Sequence, residues 1–102
     1  MAEVLYLPKA IEDLFRIWRY LVTESDSVEI ADRMVAEIQS ACQLYADEPT
    51  VGQLRPDLAQ GIRNFHVKKY VVFYIPVDTG IEVIQVIHGA RDIPNHFRSP
   101  LP

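Results

Sequence analysis

The sequence predicts an α+β domain of two layers, in which an antiparallel helical hairpin packs on a mainly antiparallel β-sheet. Two observations carry this prediction. Apolar residues recur at helical spacing through the first half of the chain, and β-branched runs separated by turn residues fill the second half. With 102 residues and no repeat or linker, the chain 1–102 is expected to form one domain.

The helical half starts after a short β-prone run, residues 3–7, with Pro8 in a first helical turn. The first helix is predicted to bury one apolar face, made of Ile11, Leu14, Phe15, Trp18, Leu21 and Val22. Asp26 and Glu29 are expected to form a capping box for the second helix. That helix is predicted to bury Ala31, Met34, Val35, Ile38, Ala41, Cys42 and Tyr45 and to end before Pro49.

The sheet half follows an irregular stretch, residues 49–61, that is rich in proline and glycine. Three strands are predicted over residues 62–68, 70–77 and 81–88, joined by tight turns, and consecutive strands with short turns pair antiparallel. A short helical turn is expected near the C-terminus. The predicted core brings the two helices onto the sheet through Phe15, Trp18, Ile38, Phe65, Val72, Tyr74, Val83 or Ile84, and Val86.

Composition excludes several classes of protein. A hydrophobic fraction of 49% argues against disorder, and no apolar run approaches the roughly 20 residues of a membrane span. The acidic start, Met1-Ala2-Glu3, and the single Cys42 predict a cytoplasmic protein without disulfides. A net charge of −4 argues against a protein that coats nucleic acid non-specifically. Direct sequence-specific nucleic-acid binding is not expected either. A local basic site in the second half stays compatible with this charge.

Residues able to support catalysis or metal binding are few. His66, His88 and His96 lack the close spacing of metal ligands, so neither a metal nor a cofactor is predicted. Cys42 lies on an apolar helix face, where a small buried hydrophobe is expected. The acidic pair Glu12-Asp13 is interpreted as solvated surface. The C-terminal segment, residues 88–98, combines histidines, cations and an aromatic ring, although spacing alone fits a simple strand exit with an ion pair.

An ordered series of short motifs runs along nearly the whole chain. Its members are Ala10-Ile11-Glu12-Asp13-Leu14 with Trp18 and Tyr20, Ala31-Asp32-Arg33, Pro49 with Gly52, Arg55-Pro56-Asp57-Leu58, Gly61-Ile62-Arg63-Asn64-Phe65, Tyr70-Val71-Val72-Phe73-Tyr74 and Val86-Ile87-His88-Gly89-Ala90-Arg91-Asp92. Together they resemble the ParE branch of the ParE/RelE superfamily, the toxins of type II toxin–antitoxin modules. The resemblance implies a β-α-α-β-β-β fold, which agrees with the elements predicted above.

The resemblance also implies partners. A ParD-like antitoxin would form a hetero-oligomer with the toxin, its flexible tail wrapping the domain and blocking it. ParE-like toxins are understood to bind DNA gyrase, stabilise its cleaved-DNA state and stop replication, whereas the RelE-like branch cuts mRNA on the ribosome. An inactive homologue that only binds the antitoxin is a third alternative.

The chemistry of RNA cleavage helps to choose between the two activities. Attack by the 2′-hydroxyl needs a base, an acid for the leaving oxygen and cations for the phosphate. The nearest aromatic to the C-terminus is Phe97, which cannot transfer a proton. The sequence therefore favours a non-enzymatic gyrase inhibitor over a ribosome-dependent mRNA endoribonuclease.

Two surfaces are predicted on this basis. The target-binding surface is placed at the C-terminal segment and consists of Arg63, His88, Arg91, Asp92, His96, Phe97 and Arg98. Phe97 is expected either to act as an apolar anchor for the target or to pack against the edge of the sheet. The antitoxin-binding surface is assigned to apolar residues left over once the core is filled, namely Ile17, Tyr20, Leu44, Val51 and Leu54. The alternative is that these residues close the helical hairpin against the following loop, and for Leu54 this alternative is favoured.

Overall fold

The computed structural model describes residues 2–91 and 93–97, which form a five-stranded sheet with two long helices on one face. The elements in chain order are β1 (Glu3–Tyr6), α1 (Pro8–Ser25), α2 (Val28–Asp47), β2 (Gln53–Leu54), β3 (Arg63–Val67), β4 (Tyr70–Val77), β5 (Gly80–His88) and α3 (Ile93–His96). The predicted α+β class and the order of its main elements are confirmed. The short β2 lies in the stretch predicted to be irregular.

The sheet has the strand order β1-β5-β4-β3-β2, and every neighbouring pair is antiparallel except β1 with β5. That pair is parallel, with Glu3 opposite Gly80 and Tyr6 opposite Val83. Two adjacent parallel strands need a long crossover, and the helical hairpin is part of that connection. The first strand of the chain therefore lies beside the last strand.

The buried face of α1 differs from the predicted one. Ala10, Leu14 and Ile17 are buried, whereas Ile11 and Phe15 are 57% and 59% exposed. The prediction of Phe15 as a core residue is wrong, and so is the prediction of Ile17 as a surface residue left for a partner. Asp13 explains the difference, because it is also buried, and its carboxylate accepts a hydrogen bond from the backbone N–H of Val86. The helix is turned so that this bond can form.

The junction of the two helices also differs from the prediction. Asp26 does not start α2; it ends α1 in a left-handed conformation (φ 55°), and its N–H donates to the carbonyl of Val22. Ser27 is the N-cap of α2, since its hydroxyl accepts from the N–H of Ile30 at 3.2 Å. Serine is a favoured N-cap residue for this reason. Pro8 opens α1, as predicted.

The core has two parts, one on each face of the sheet. On the helical face, Ile38 packs with Phe65, Val72 and Tyr74, and the ring of Tyr45 stacks on Phe65 at 3.9 Å. The opposite face buries a second apolar cluster, composed of Ile62, Val71, Phe73, Ile84, Ile87 and Phe97. Val83 and Val86 are on the helical face, so Ile84 is wrong as the alternative to Val83. The second face is covered by the loop before β3 and by the C-terminal segment.

Candidate functional site

A cleft of about 500 Å³ lies between α1 and the C-terminal end of β5. We call it the basic cleft. Its lining contains the permanent cations Lys9, Arg16 and Arg91 and the imidazoles of His88 and His96. The rest of the lining is Asp13, Ile17, Tyr20, Tyr70, Gln85, Val86, Ile87 and Ala90. A chain with a net charge of −4 thus has a cleft of opposite sign.

The cleft exists because β1 is shorter than β5. In the described residues β1 pairs with β5 only as far as Val83, and α1 borders the strand beyond that point. A β-bulge also occurs there, since Phe73 pairs with Gln85 while Tyr74 pairs with Val83. Bulges bend a strand and redirect its backbone groups. Past the bulge, the N–H of Val86 points to α1 and is satisfied by Asp13 at 3.0 Å.

Asp13 is the single carboxylate among the described residues of the cleft lining, and each of its oxygens accepts a hydrogen bond. Oδ1 accepts from the Lys9 ammonium at 2.6 Å, and Oδ2 accepts from the backbone of Val86. Arg16 is shared, because one guanidinium nitrogen donates to Glu12 at 2.7 Å and the other lies 4.0 Å from Asp13. The carboxylate therefore holds α1 against β5 and neutralises only part of the charge in the cleft.

His88 has one ring nitrogen committed to the backbone. Its Nδ1 accepts from the N–H of Ala90 at 3.1 Å, which requires the neutral tautomer with its proton on Nε2. The imidazole meets the ring of Tyr70 edge-on at 5.4 Å, and burial raises the pKa of the Tyr70 hydroxyl. The N–H of Arg91 donates to the carbonyl of His88, forming the turn that brings Arg91 to the cleft.

The predicted target-binding residues separate into three groups. His88, Arg91 and His96 are brought together in the basic cleft. Asp92 and Arg98 lie outside the described residues. Arg63 is elsewhere: it pairs with Tyr74 in the sheet, four residues and roughly 13 Å along β4 from the level of the cleft.

Arg63 has a structural role. Its guanidinium donates to the carbonyls of Thr50 and Gly52, at 2.8 and 2.7 Å. The hydroxyl of Tyr74 reinforces the same loop, donating to the carbonyl of Pro49 and accepting from the N–H of Gly52. The structure therefore does not bring Arg63 into the basic cleft with the other predicted target-binding residues. Its two hydrogen bonds hold the loop after α2.

Phe97 is wrong as an exposed anchor. It is 7% exposed, and its ring packs against Phe73 at 5.1 Å between centroids. The physical reason is the second sheet face, which no long helix covers in the described part of the chain and which needs apolar side chains over it. A truncation that removes Phe97 would uncover this face, so point substitutions test the cleft more cleanly.

Lys9, Asp13 and Arg16 are site residues that the sequence reasoning missed. Asp13 was interpreted as solvated surface together with Glu12. One signal could have found it: Asp13 lies at helical spacing from Ala10 and Ile17, so a face through these apolar residues includes it. Lys9 and Arg16 then lie one turn to either side of a buried acid.

A second concave surface, with a volume of about 420 Å³, is formed by residues of β1, α1 and α2, and we call it the apolar groove. It is lined by Tyr6, Ile11, Leu14, Phe15, Trp18, Val35 and Gln39. The rings of Phe15 and Trp18 stack at 6.3 Å. The indole N–H of Trp18 donates to Asp32 at 2.7 Å, which ties α1 to α2 beneath the groove.

The predicted antitoxin-binding residues fall in different places. Ile17 is 8% exposed, and the surface it keeps faces the basic cleft. Leu44, Val51 and Leu54 are 70%, 62% and 52% exposed, so all three are accessible to a partner. Tyr20 is exposed but lines the basic cleft, not the apolar groove.

Cys42 is a buried core residue, as predicted, and burial raises the pKa of its thiol to about 11. At pH 8 this leaves about 100-fold less thiolate than a thiol with an ordinary pKa of 9.0 would have. We expect iodoacetamide to alkylate the native protein at least about 100-fold more slowly than the unfolded protein at that pH. Mass spectrometry with and without guanidinium measures the ratio, and equal rates would contradict the burial of the thiol.

Residues 2–91 and 93–97 contain no cluster of three His, Cys, Asp or Glu side chains suited to a metal ion. Within the same residues, no helix is both long and apolar enough to cross a membrane.

Comparisons with known proteins extend these observations. The fold is shared with a solved chain titled "Chromosomal ParDE TA system from P. aeruginosa", with a TM-score of 0.72 and 19% identity over 86% of this chain and 96% of that one. Toxin ParE1 of Caulobacter vibrioides is 32% identical over 89 residues, 87% of this chain and 91% of its own length. Toxin ParE3 of the same organism is 27% identical over 93 residues, 91% of this chain and 92% of its own length.

These matches place the protein in the class of toxins from type II toxin–antitoxin systems. A family model described as "ParE toxin of type II toxin-antitoxin system, parDE" matches residues 4–93. The chain belongs to the ParE toxin family. The resemblance found in its ordered motifs is thereby confirmed, and an antitoxin partner is implied.

Proposed function

We propose that this ParE toxin inhibits growth in the cytoplasm by binding DNA gyrase and stabilising its cleaved-DNA state. The observation that supports this most is the convergence of His88, Arg91 and His96, three predicted target-binding residues, in one basic cleft. An inhibitor of this kind must bind one state of gyrase more tightly than the others, because equal affinity would shift no equilibrium. Asp92 follows Arg91 in the sequence, and Arg98 lies two residues after His96. Both are proposed to extend the target-binding surface.

The chemistry of the cleft supports binding over RNA cleavage. A ribonuclease needs a positioned acid and base. Of the two ring nitrogens of His88, one is occupied by the backbone of Ala90. Tyr70 is buried, and its pKa is raised by that burial, which makes it a poor proton donor at neutral pH. The ribosome-dependent endoribonuclease therefore stays the second candidate.

A ParD-like antitoxin is proposed to neutralise the toxin by covering the apolar groove. Ile11 and Phe15 expose more than half of their surface beside the half-buried Trp18. Exposed apolar side chains gathered along a groove are typical of a docking site for a partner segment, and their burial offsets the ordering entropy of a flexible tail. Tyr20, Leu44, Val51 and Leu54 are proposed as further contacts in the resulting hetero-oligomer.

Expression of the toxin without its antitoxin tests the proposed function. We expect growth arrest with gyrase-linked DNA breaks, and the purified toxin should inhibit supercoiling while ribosome-bound mRNA stays intact. Cut transcripts with normal supercoiling would select the ribonuclease. A protein that arrests nothing but still binds its antitoxin would be the inactive homologue. Either of the last two outcomes contradicts the proposal.

A further inference from the structure

The positive charge of the basic cleft exceeds what its neighbours neutralise. Lys9 is paired with Asp13, and Arg16 is shared between Glu12 and Asp13. Within the described residues, no carboxylate lies within 4 Å of the Arg91 guanidinium. Both oxygens of Asp13 already accept hydrogen bonds, from Lys9 and from the backbone of Val86. A ligand entering the cleft would therefore meet Arg91 as a cation without a described carboxylate partner, and Arg16 beside it.

The donors of the cleft come from different elements and face one space. Arg16 and Tyr20 lie on α1, His88 ends β5, and Arg91 follows the next turn. Guanidinium groups bind phosphate through two parallel hydrogen bonds, and a tyrosine hydroxyl can donate a further one. A phosphate has more acceptor oxygens than a carboxylate and can satisfy more of these donors at once.

We propose that the basic cleft binds phosphates of the DNA backbone. This inference rests on the proposed function, since gyrase supplies the DNA. Arg16 lies on α1 and Arg91 follows β5, so cations border the cleft from two different elements. Cations on two sides of a cleft suit successive phosphates of a strand better than a single phosphate. The described residues of the cleft lining include no glycine-rich loop of the kind that encloses a terminal phosphate.

The net negative charge of the whole chain limits how tightly the toxin alone can bind DNA. Phosphate contacts carry no sequence information, so the inference agrees with the absence of sequence-specific recognition expected above. A net charge of −4 repels DNA at a distance, so the toxin alone should bind it weakly. The contact becomes effective when gyrase holds toxin and DNA together. The cleft would then make the toxin bind DNA-bound gyrase more tightly than free gyrase.

A double variant of the cleft and a matched double variant outside it test the inference. Arg16→Gln and Arg91→Gln, combined, remove two cleft cations, while Arg33→Gln with Arg19→Gln removes the same charge from exposed positions outside the cleft lining. Binding to gyrase is measured by fluorescence anisotropy with and without a 150-base-pair DNA. We expect the cleft variant to lose about tenfold in affinity only when DNA is present, with a shallower salt dependence. The control should change less than twofold in either condition.

NMR titrations of the full-length toxin identify the ligand directly. A 20-base-pair DNA should shift the signals of Arg16, Arg91 and the cleft histidines, and the cleft variant should lose these shifts. A glutamate-rich peptide that shifts them while DNA does not would overturn the inference, and so would inorganic phosphate that binds as tightly as DNA. Equal loss of gyrase affinity with and without DNA would also overturn it, with the proposed function intact. If the toxin ignores gyrase but DNA shifts the cleft signals, the proposed function fails and the phosphate site stands.

Discussion

Gly80→Ala is expected to lower the free energy of unfolding by at least about 3 kcal/mol and the melting temperature by about 12 °C or more. Gly80 has φ +154°, a conformation that side chains with a Cβ rarely adopt. A Cβ there would also lie 1.9 Å from the carbonyl oxygen of Glu3. The clash is with backbone, which cannot rotate away, so the parallel pairing of β1 with β5 would have to open.

Gly61→Ala is the matched control for this change. Gly61 also has a positive φ, +84°, but nothing lies within 4 Å of the position its Cβ would take. Only backbone strain remains, and we expect a loss of about 1 kcal/mol. Thermal unfolding followed by circular dichroism measures both variants. Equal losses at the two glycines would show that the close approach of Glu3 is unimportant.

Phe15→Asp is expected to weaken antitoxin binding by about 100-fold, equivalent to about 2.7 kcal/mol. Phe15 is the largest strongly exposed side chain of the apolar groove, and it stacks on Trp18. A carboxylate there would be left without water or a partner once the antitoxin covers the groove. Because Phe15 contributes little to the core, the toxin itself should stay folded and active.

Ile30→Asp is the control for antitoxin binding, since Ile30 is 45% exposed on α2 and does not line the groove. Isothermal titration of each variant with the purified antitoxin measures the affinities. We expect Ile30→Asp to bind as the unmodified toxin does. An unchanged affinity for Phe15→Asp would move the docking site away from the apolar groove, towards Leu44, Val51 and Leu54.

The fold class could be predicted because each half of the chain has its own periodicity. Residues at helical spacing gave α1 and α2, and the apolar runs of β4 and β5 marked the centre of the sheet. The face of α1 could not be predicted from apolar residues alone. It depends on Asp13, whose partner is a backbone N–H 73 residues away, made available by a bulge. The helical spacing of Asp13 from Ala10 and Ile17 could have included it in the buried face, but nothing in the sequence near Asp13 shows its partner on β5.

The candidate site could be predicted only in part, because some of its residues are far apart in the sequence. His88, Arg91 and His96 are close in sequence, so a short C-terminal segment was enough to suggest them. Lys9 and Arg16 join them only through the packing of α1 on β5. Phe97 was interpreted as a surface anchor because its ring partner, Phe73, is distant in the sequence and lies in β4. Long-range packing decided each of these outcomes.

The pairing of Glu3 with Gly80 has a consequence for synthesis of the toxin. The ribosome must complete more than three quarters of the chain before the first strand has a neighbour, and such distant contacts slow folding. At a translation rate of about 5–20 residues per second, a nascent chain stays unfinished for several seconds. Until β5 emerges, the strand that forms one wall of the basic cleft is missing, so the nascent chain cannot yet form this cleft.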